Sequence, residues 1–205
     1  MDDQQKTISQ WLGTGSINIF GSPFAGKDTQ GLILADILGG ALVAGGDILR
    51  SYHDQEKIQQ LMATGDLFPT DFYLDVVLPF LSQPEWRQKP LILSAIGRLK
   101  GEESVIMKAT TDSGHPLKAV ILLQLSEEEV WRRFEQSKLQ RDRGNRADDN
   151  HEALENRLKK FQEQTVPVID FYRNEGLLIE IDGALDRIKV TNEIIGKLFD
   201  RAVND

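Results

Sequence analysis

The sequence predicts an α/β protein, a three-layer sandwich with helices on both faces of a five-stranded parallel sheet. Three observations lead there. Five short runs rich in Val, Ile and Leu occur at Ser16–Phe20, Ala41–Ala44, Leu91–Ile96, Ala119–Leu125 and Leu177–Ile181. Four of them show little polar alternation, as strands buried on both faces of a parallel sheet do. Stretches of helical periodicity separate them, and such alternation closes into a sandwich through right-handed crossovers. A length of 205 residues suits one compact domain with insertions, or at most two small ones.

The first fifteen residues precede the sheet, and Ile8, Trp11 and Leu12 predict a short helix packed on the core. After Ser16–Phe20, the apolar pattern Leu32, Ile33, Leu34, Ile37 predicts the first crossover helix. Gly45 to about Asp71 is too long for a connection and reads as two short helices broken at Gly65, an inserted arm. Ser137–Ala147 is polar, basic and centred on Gly144, and reads as a mobile loop. Leu154, Leu158, Phe161, Val168 and Tyr172 share a helical face entered through Asp149, with Glu152 three residues on. Pro167 kinks or restarts that helix, since proline lacks the N–H a helix interior needs.

Composition narrows function. Hydrophobic residues are 40% and charged residues 27%, an ordinary globular balance. The formal net charge of −8 disfavours a protein that coats nucleic acid, while leaving room for a local cationic cluster. Cysteine is absent, which excludes disulfides, thiolate nucleophiles and Cys-ligated zinc. His53, His115 and His151 are far apart in the chain, so surface or capping roles are expected for all three. The N-terminal MDDQQKTISQWLGTG is acidic where a signal peptide would be basic, and no run approaches the ~20 apolar residues of a membrane span. A soluble cytoplasmic protein is expected.

The strand Ser16–Phe20 runs directly into Gly21-Ser22-Pro23-Phe24-Ala25-Gly26-Lys27-Asp28-Thr29-Gln30. This is the frame G-x-x-x-x-G-K, in which backbone N–H groups converge on phosphate oxygens at a helix N-terminus. Lys27 would bring a point charge to the β- and γ-phosphates, and Thr29 a hydroxyl. A plain Gly/Pro turn carrying a surface lysine uses the same residue types. Its place, opening the first helix of a parallel α/β pattern, favours the phosphate cradle. The general pattern has Ser or Thr directly after the lysine, where Asp28 stands here.

With these residues in view, the chain resembles the adenylate kinases, or more broadly the nucleoside monophosphate kinases of P-loop type. GSPFAGKDTQ is similar to their GxPGxGKGTQ, Ala44–Arg50 (AGGDILR) to STGDLLR, and Gly65–Asp71 to a GxLVPD-like turn. Ser94–Leu99 resembles an altered DGFPRT, and Arg146, Asp148, Asp149, Glu152, Arg157 and Leu158 match the pattern that leaves the lid. The resemblance runs from about Ser16 to Gly183. It implies a core of residues 1–44, 75–136 and 148–205, a monophosphate-binding arm at 45–74 and a short lid at 137–147. It implies reversible phosphoryl transfer from MgATP to a nucleoside monophosphate, AMP favoured, by a monomer with Mg²⁺ as cofactor.

Carried over by position, the donor site comprises Gly21, Phe24, Ala25, Gly26, Lys27, Asp28, Thr29 and Arg133. The acceptor site comprises Gly45, Arg50, Asp66, Leu67, Phe68, Ala95, Arg98, Glu102, Arg146 and Arg157. Lys27, Arg98, Arg143, Arg146 and Arg157 are the implied catalytic set. The chemistry agrees, because an acceptor phosphate is already an oxyanion. What remains is in-line positioning and neutralisation of charge, which arginine's planar fork supplies. Residues 132 to 146 hold Arg132, Arg133, Lys138, Arg141, Arg143 and Arg146 against Glu135 and Asp142, a surplus suited to an anion. Arg132 and Lys138 are expected bystanders.

The departures are specific. The lid is short and has no cysteines. Gly45 stands where the family has a threonine that helps choose the base, and Glu102 where it has a glutamine. A UMP/CMP-type kinase, or a nucleotide-binding protein that has lost turnover, are the competing readings. The family's strand-end aspartate near Mg²⁺ is Ser94, while a carboxylate has appeared at Asp28. Either Asp28 takes over that work, with Asp47, or it caps the helix that follows. Phe24, a glycine in the family, either adopts a backbone geometry that a Cβ permits or lies over the lid hinge as an apolar contact.

Overall fold

The structure is a computed structural model and describes residues 3–52, 58, 60, 62–140 and 150–205. Its five strands are β1 (Ser16–Gly21), β2 (Ala41–Ala44), β3 (Leu91–Ser94), β4 (Leu117–Gln124) and β5 (Leu178–Asp182). They form one parallel sheet in the order β2-β3-β1-β4-β5. The five expected apolar runs are these five strands. Register places Ile17 beside Ile92 on one side and Ala119 on the other, so β1 is central and wholly buried. At the edge, β5 alternates between buried and exposed residues, as a strand with one uncovered side does.

Helices α1 (Asp3–Leu12), α2 (Lys27–Leu38) and α9 (Arg187–Asn204) cover one face. Ile8, Leu12, Leu34, Val190 and Ile194 meet Ile17, Ile19 and Ile121 there. The opposite face takes α4 (Thr70–Leu81), α5 (Glu103–Asp112) and α8 (Val166–Asn174). Val76, Val77 and Ile106 pack on Leu91 and Leu93, and Val168 and Tyr172 on Phe20 and Val120. Successive residues of β1 thus feed opposite layers, which gives the predicted sandwich its three layers.

The inserted arm opens with α3 (Gly45–Ser51). Ile58, Gln60, Met62 and Ala63 are helical, and the turn at Thr64-Gly65 ends that helix where the sequence placed a break. Gly65 has φ +72°. Beyond β4, α6 (Glu127–Gln140) is followed by α7 (His151–Lys160). The expected loop at Ser137–Ala147 therefore begins as the last turn of α6; Arg143 and Arg146 lie outside the described residues.

Two details correct the sequence reading. The N-cap of α7 is Asn150, whose side chain accepts the Ala153 N–H, and the expected Asp149 lies outside the described residues. His115 is buried rather than on the surface, with Nδ1 2.7 Å from the Thr14 carbonyl. His53 lies outside the described residues and His151 is exposed. Pro167 does restart a helix. A π-helical turn, Phe161–Thr165, separates α7 from α8, with the Val166 N–H reaching back to the Phe161 carbonyl. The wider turn accommodates a residue without an N–H at the start of α8.

Candidate functional site

The C-terminal ends of β1 and β3 open into a cavity of about 790 Å³. Ligands of open parallel sheets sit at this edge, outside the carboxyl ends of the strands. On one side the β1–α2 loop bends through Gly26, at φ +89°, and α2 points its N-terminus at the cavity. Lys27 Nζ donates to the Gly21 and Ser22 carbonyls at 2.9 and 2.8 Å, holding the ammonium across the loop mouth. A Cβ on Gly21 would lie 2.9 Å from the Leu123 carbonyl oxygen and 3.0 Å from the Ala25 methyl. The loop can take this path only with glycine there.

Phe24 keeps a left-handed backbone in spite of its Cβ, and its ring makes an apolar contact with α6. Its φ is +62°, and its ring meets Phe134 edge-on at 5.5 Å, within a cluster of Val130, Phe134 and Leu154. Arg133 ties the same loop down: Nη1 donates to the Phe24 carbonyl at 3.3 Å, Nη2 to the Gly183 carbonyl at 2.7 Å and Nε to Glu129 at 2.8 Å. Glu129 also accepts from Arg132 at 2.5 Å, and its carboxyl is pulled down to about 2, first by Arg132. This revises the cationic surplus. A count that began at residue 132 missed Glu129, one helical turn upstream, which neutralises part of it. Of the two expected bystanders, Lys138 holds its ammonium 4.0 Å from the centre of the Phe134 ring and off the cavity wall, whereas Arg132 lines the cavity.

Asp28 lies on the cavity wall, and its Oδ1 accepts the Ser94 hydroxyl at 2.6 Å. It does not act as a helix cap: α2 has Gly26 at its N-cap position and no side-chain cap. Asp47 forms an ion pair with Arg50 at 2.5 Å and is not part of the cavity wall.

The arm and the β3–α5 loop build the opposite wall. Gly45, Arg50, Asp66, Leu67, Phe68, Ala95 and Arg98 line it. Phe68 stacks on Phe72 with ring centres 5.8 Å apart. Arg98 sits low in the wall, where burial lowers its pKa against the opposing influence of Tyr73, Glu102 and Asp28. It remains charged, and among the described residues no carboxylate lies within ion-pair distance of it. Asn18 holds the loop in place: in the middle of β1 its amide donates to the Ile96 carbonyl at 2.8 Å and its Oδ1 accepts the Ile96 N–H at 3.3 Å. Arg157 reaches the cavity from α7.

Two of the expected site residues stand behind the wall. Ala25 is buried inside the loop. Glu102 is also buried, its Oε2 accepting the Leu99 N–H at 3.0 Å and its Oε1 without a hydrogen-bond partner. Burial raises its pKa, against the pull of that N–H, the Thr70 hydroxyl and Arg98. Tyr73 stands in front and went unpredicted. Its hydroxyl accepts the Gly97 N–H at 3.3 Å and would lie 2.9 Å from a Cβ on Gly45. The missing hydroxyl of Gly45 was the signal that another group fills that space. Lys160, Arg187 and Ser94 also line the cavity and were not predicted; Asn18, the lone polar residue in Ser16–Phe20 apart from its first, was the visible hint of a tied loop.

A phosphate-binding strand–loop–helix facing a wall of arginines, on a parallel sheet with β1 at its centre, defines a P-loop phosphotransferase. A family model described as Adenylate kinase matches residues 19–177, well over half of the chain. An adenylate kinase of Thermobifida fusca is 34% identical over 190 residues, covering 90% of this chain and 98% of that one. Adenylate kinases of Parvibaculum lavamentivorans and Thermus thermophilus are 32% and 31% identical, over 86% and 84% of this chain and 88% and 91% of their own. The chain belongs to the adenylate kinase family, and is a nucleoside monophosphate kinase with adenylate kinase-like phosphotransferase activity. Among the described residues, no helix is long and apolar enough to cross a membrane.

Proposed function

We propose that the chain transfers the γ-phosphoryl group of MgATP to AMP, reversibly, giving two ADP. Residues 1–44, 75–136 and 148–205 act as the core, 45–74 as the acceptor arm and 137–147 as a short lid. The observation that carries this reading is a single cavity whose wall includes Lys27 and Thr29 at one end, Arg50 and Phe68 at the other, and Arg98 and Arg157 besides.

In this reading the backbone N–H groups from Gly21 to Thr29, Pro23 excepted, hold the donor phosphates together with the Lys27 ammonium, and Phe24, Ala25 and Arg133 shape the loop that carries them. Gly45, Leu67, Phe68 and Ala95 surround the acceptor base, with Asp66 and Glu102 setting the arm and the loop. Arg50 and Arg98 grip the acceptor phosphate. Arg157, with Arg143 and Arg146, faces the transferred group. An oxygen of the acceptor phosphate attacks the γ-phosphorus in line, the bond from that phosphorus to the β–γ bridging oxygen breaks, and ADP leaves with its electrons. No proton need be removed from the nucleophile, so guanidinium charge and position are what the protein supplies. Lid closure excludes water, which would otherwise compete as acceptor.

The donor set suits Mg²⁺. The carboxylate of Asp28 and the hydroxyl of Thr29 are hard oxygens beside Lys27, and no cluster of three acidic or histidine side chains exists among the described residues. That is too little for a protein cage and right for a cation shared with phosphates. Bound there, it would offset charge on the β- and γ-phosphate oxygens.

A coupled assay of AMP, CMP, UMP, GMP and dTMP with MgATP tests the reading, and AMP is expected to be the best acceptor. Faster turnover of CMP or UMP would reassign the acceptor, and no turnover of any would remove the transferase. Arg98→Ala is expected to lower kcat/KM roughly 100- to 1000-fold.

A further inference from the structure

We propose that Asp28, oriented by Ser94, is the protein's ligand to the water shell of the donor's divalent cation, so that this cradle selects metal-bound over metal-free nucleotide. The proposal rests on the donor reading above and concerns which residue reads the metal.

Charge is the first ground. The cavity is walled by cations, among them Lys27, Arg98 and Arg157, and holds two carboxylates. Asp66 is occupied, accepting from Asn156 at 3.1 Å and lying 3.5 Å from Lys160. Asp28 has no cation within ion-pair distance among the described residues, and follows directly on the lysine of the phosphate loop. A bare carboxylate beside bound phosphates repels them. The sign of that contribution reverses only when a cation lies between the two.

Geometry is the second ground. The Ser94 hydroxyl donates to Oδ1 at 2.6 Å from the end of β3, one of the best-buried strands in the sheet. It fixes the plane of the carboxylate and uses one lone pair, leaving the remainder for a metal-bound water. Hydrogen bonds of this kind orient the ligands of metal sites, and their loss typically costs 10- to 100-fold in metal affinity. The charge of the same carboxylate is also felt by Arg98, so a purely structural role as a counter-charge is the alternative to be separated.

Isothermal titration of ATP, in Mg²⁺ and in EDTA, separates them for wild type, Asp28→Asn, Ser94→Ala and the double variant Asp28→Asn/Ser94→Asp. The readout is the gain in affinity on adding Mg²⁺. Asp28→Asn is expected to bind metal-free ATP more tightly than wild type and to lose roughly tenfold of the Mg²⁺ gain. Ser94→Ala should lose part of it. The double variant should recover it, because a carboxylate at 94 arises where the hydroxyl now touches Asp28. Mn²⁺ electron paramagnetic resonance on the ATP complexes should follow the same order. If Asp28→Asn shifts both affinities by the same factor, Asp28 is a counter-charge and the proposal fails. If wild type binds ATP in neither condition, the donor reading falls instead.

Discussion

Phe24 and Ala95 are the non-glycine residues held at positive φ, +62° and +51°, among the described residues, and both line the cavity. A left-handed conformation costs an L-residue roughly 1–2 kcal/mol, so the surroundings must impose it. At Ala95 they visibly do: its N–H donates to the Ile19 carbonyl at 3.0 Å, and both backbone groups of Ile96 are bound by Asn18. Asn18→Ala is therefore expected to leave two buried backbone groups unpaired. Its cost should be about 2–3 kcal/mol in urea unfolding, with KM for the acceptor raised because Arg98 loses its mooring. Glu102 gives a prediction with a definite sign. Its folded pKa lies above the unfolded value, so the folded state holds a proton that the unfolded state releases. Wild-type stability relative to Glu102→Gln must fall as pH rises from the ordinary glutamate pKa to the raised one, and level off beyond. Thermal midpoints of both proteins across that window check it, and parallel curves would refute it. At this scale the sequence showed the phosphate loop and the arginines, whose chemistry is written in residue type. It could not show Tyr73 taking the space beside Gly45, or Ser94 bonding Asp28, because partners 28 and 66 residues apart meet only through the sheet.

The arm and α7 form the most instructive pair of elements. Gly65 turns the arm at φ +72°, and a Cβ there would lie 2.5 Å from the Ala153 carbonyl oxygen and 2.8 Å from Arg157 Cγ. Asn156 donates to the Thr64 carbonyl at 2.8 Å, so the tip of the arm is clasped to the helix that carries Arg157. Gly65→Ala should consequently do more than strain one turn. Gly13 supplies the control, with φ +56° and nothing within 4 Å of its Cβ position. Gly13→Ala is expected to cost about 1–2 kcal/mol and leave turnover alone. Gly65→Ala should cost more in chemical denaturation and also lower kcat, since it pushes on the stem of Arg157. Equal stability losses with unchanged kcat in both would mean the clasp does not reach the site. The break at Gly65 was legible because glycine ends helices. Its partner was not, lying on α7, far along the chain. The restart at Pro167 was likewise legible, while the π-helical turn before it was not, since a change in hydrogen-bond step leaves the side-chain pattern nearly intact.

Across the whole molecule, charge is distributed against its own sum. The chain carries a formal net charge of −8, yet eight lysine and arginine side chains line the cavity with two aspartates. Like charges gathered on one wall repel one another, a repulsion that Asp47, Glu129 and Asp66 offset in part at Arg50, Arg132, Arg133 and Lys160. A ligand bearing several phosphates removes that repulsion as it binds. A dinucleotide mimic spanning both ends of the cavity, supplied at about 1,000 times its Kd, should stabilise the fold by about 4 kcal/mol. For a chain of this size that is a rise of roughly 8–16 °C in Tm. Salt should then act with opposite signs on the two states. Raising NaCl to about 0.5 M shortens the screening length to a few ångströms, roughly the spacing of neighbouring side chains. The Tm of the unliganded protein should climb, while the extra Tm conferred by a fixed concentration of the mimic should shrink. Differential scanning fluorimetry at two salt concentrations, with and without the mimic, reads both. A ligand-induced rise that ignores salt would place the binding energy in apolar contacts with the bases, and the arginine wall would lose its claim to the phosphates.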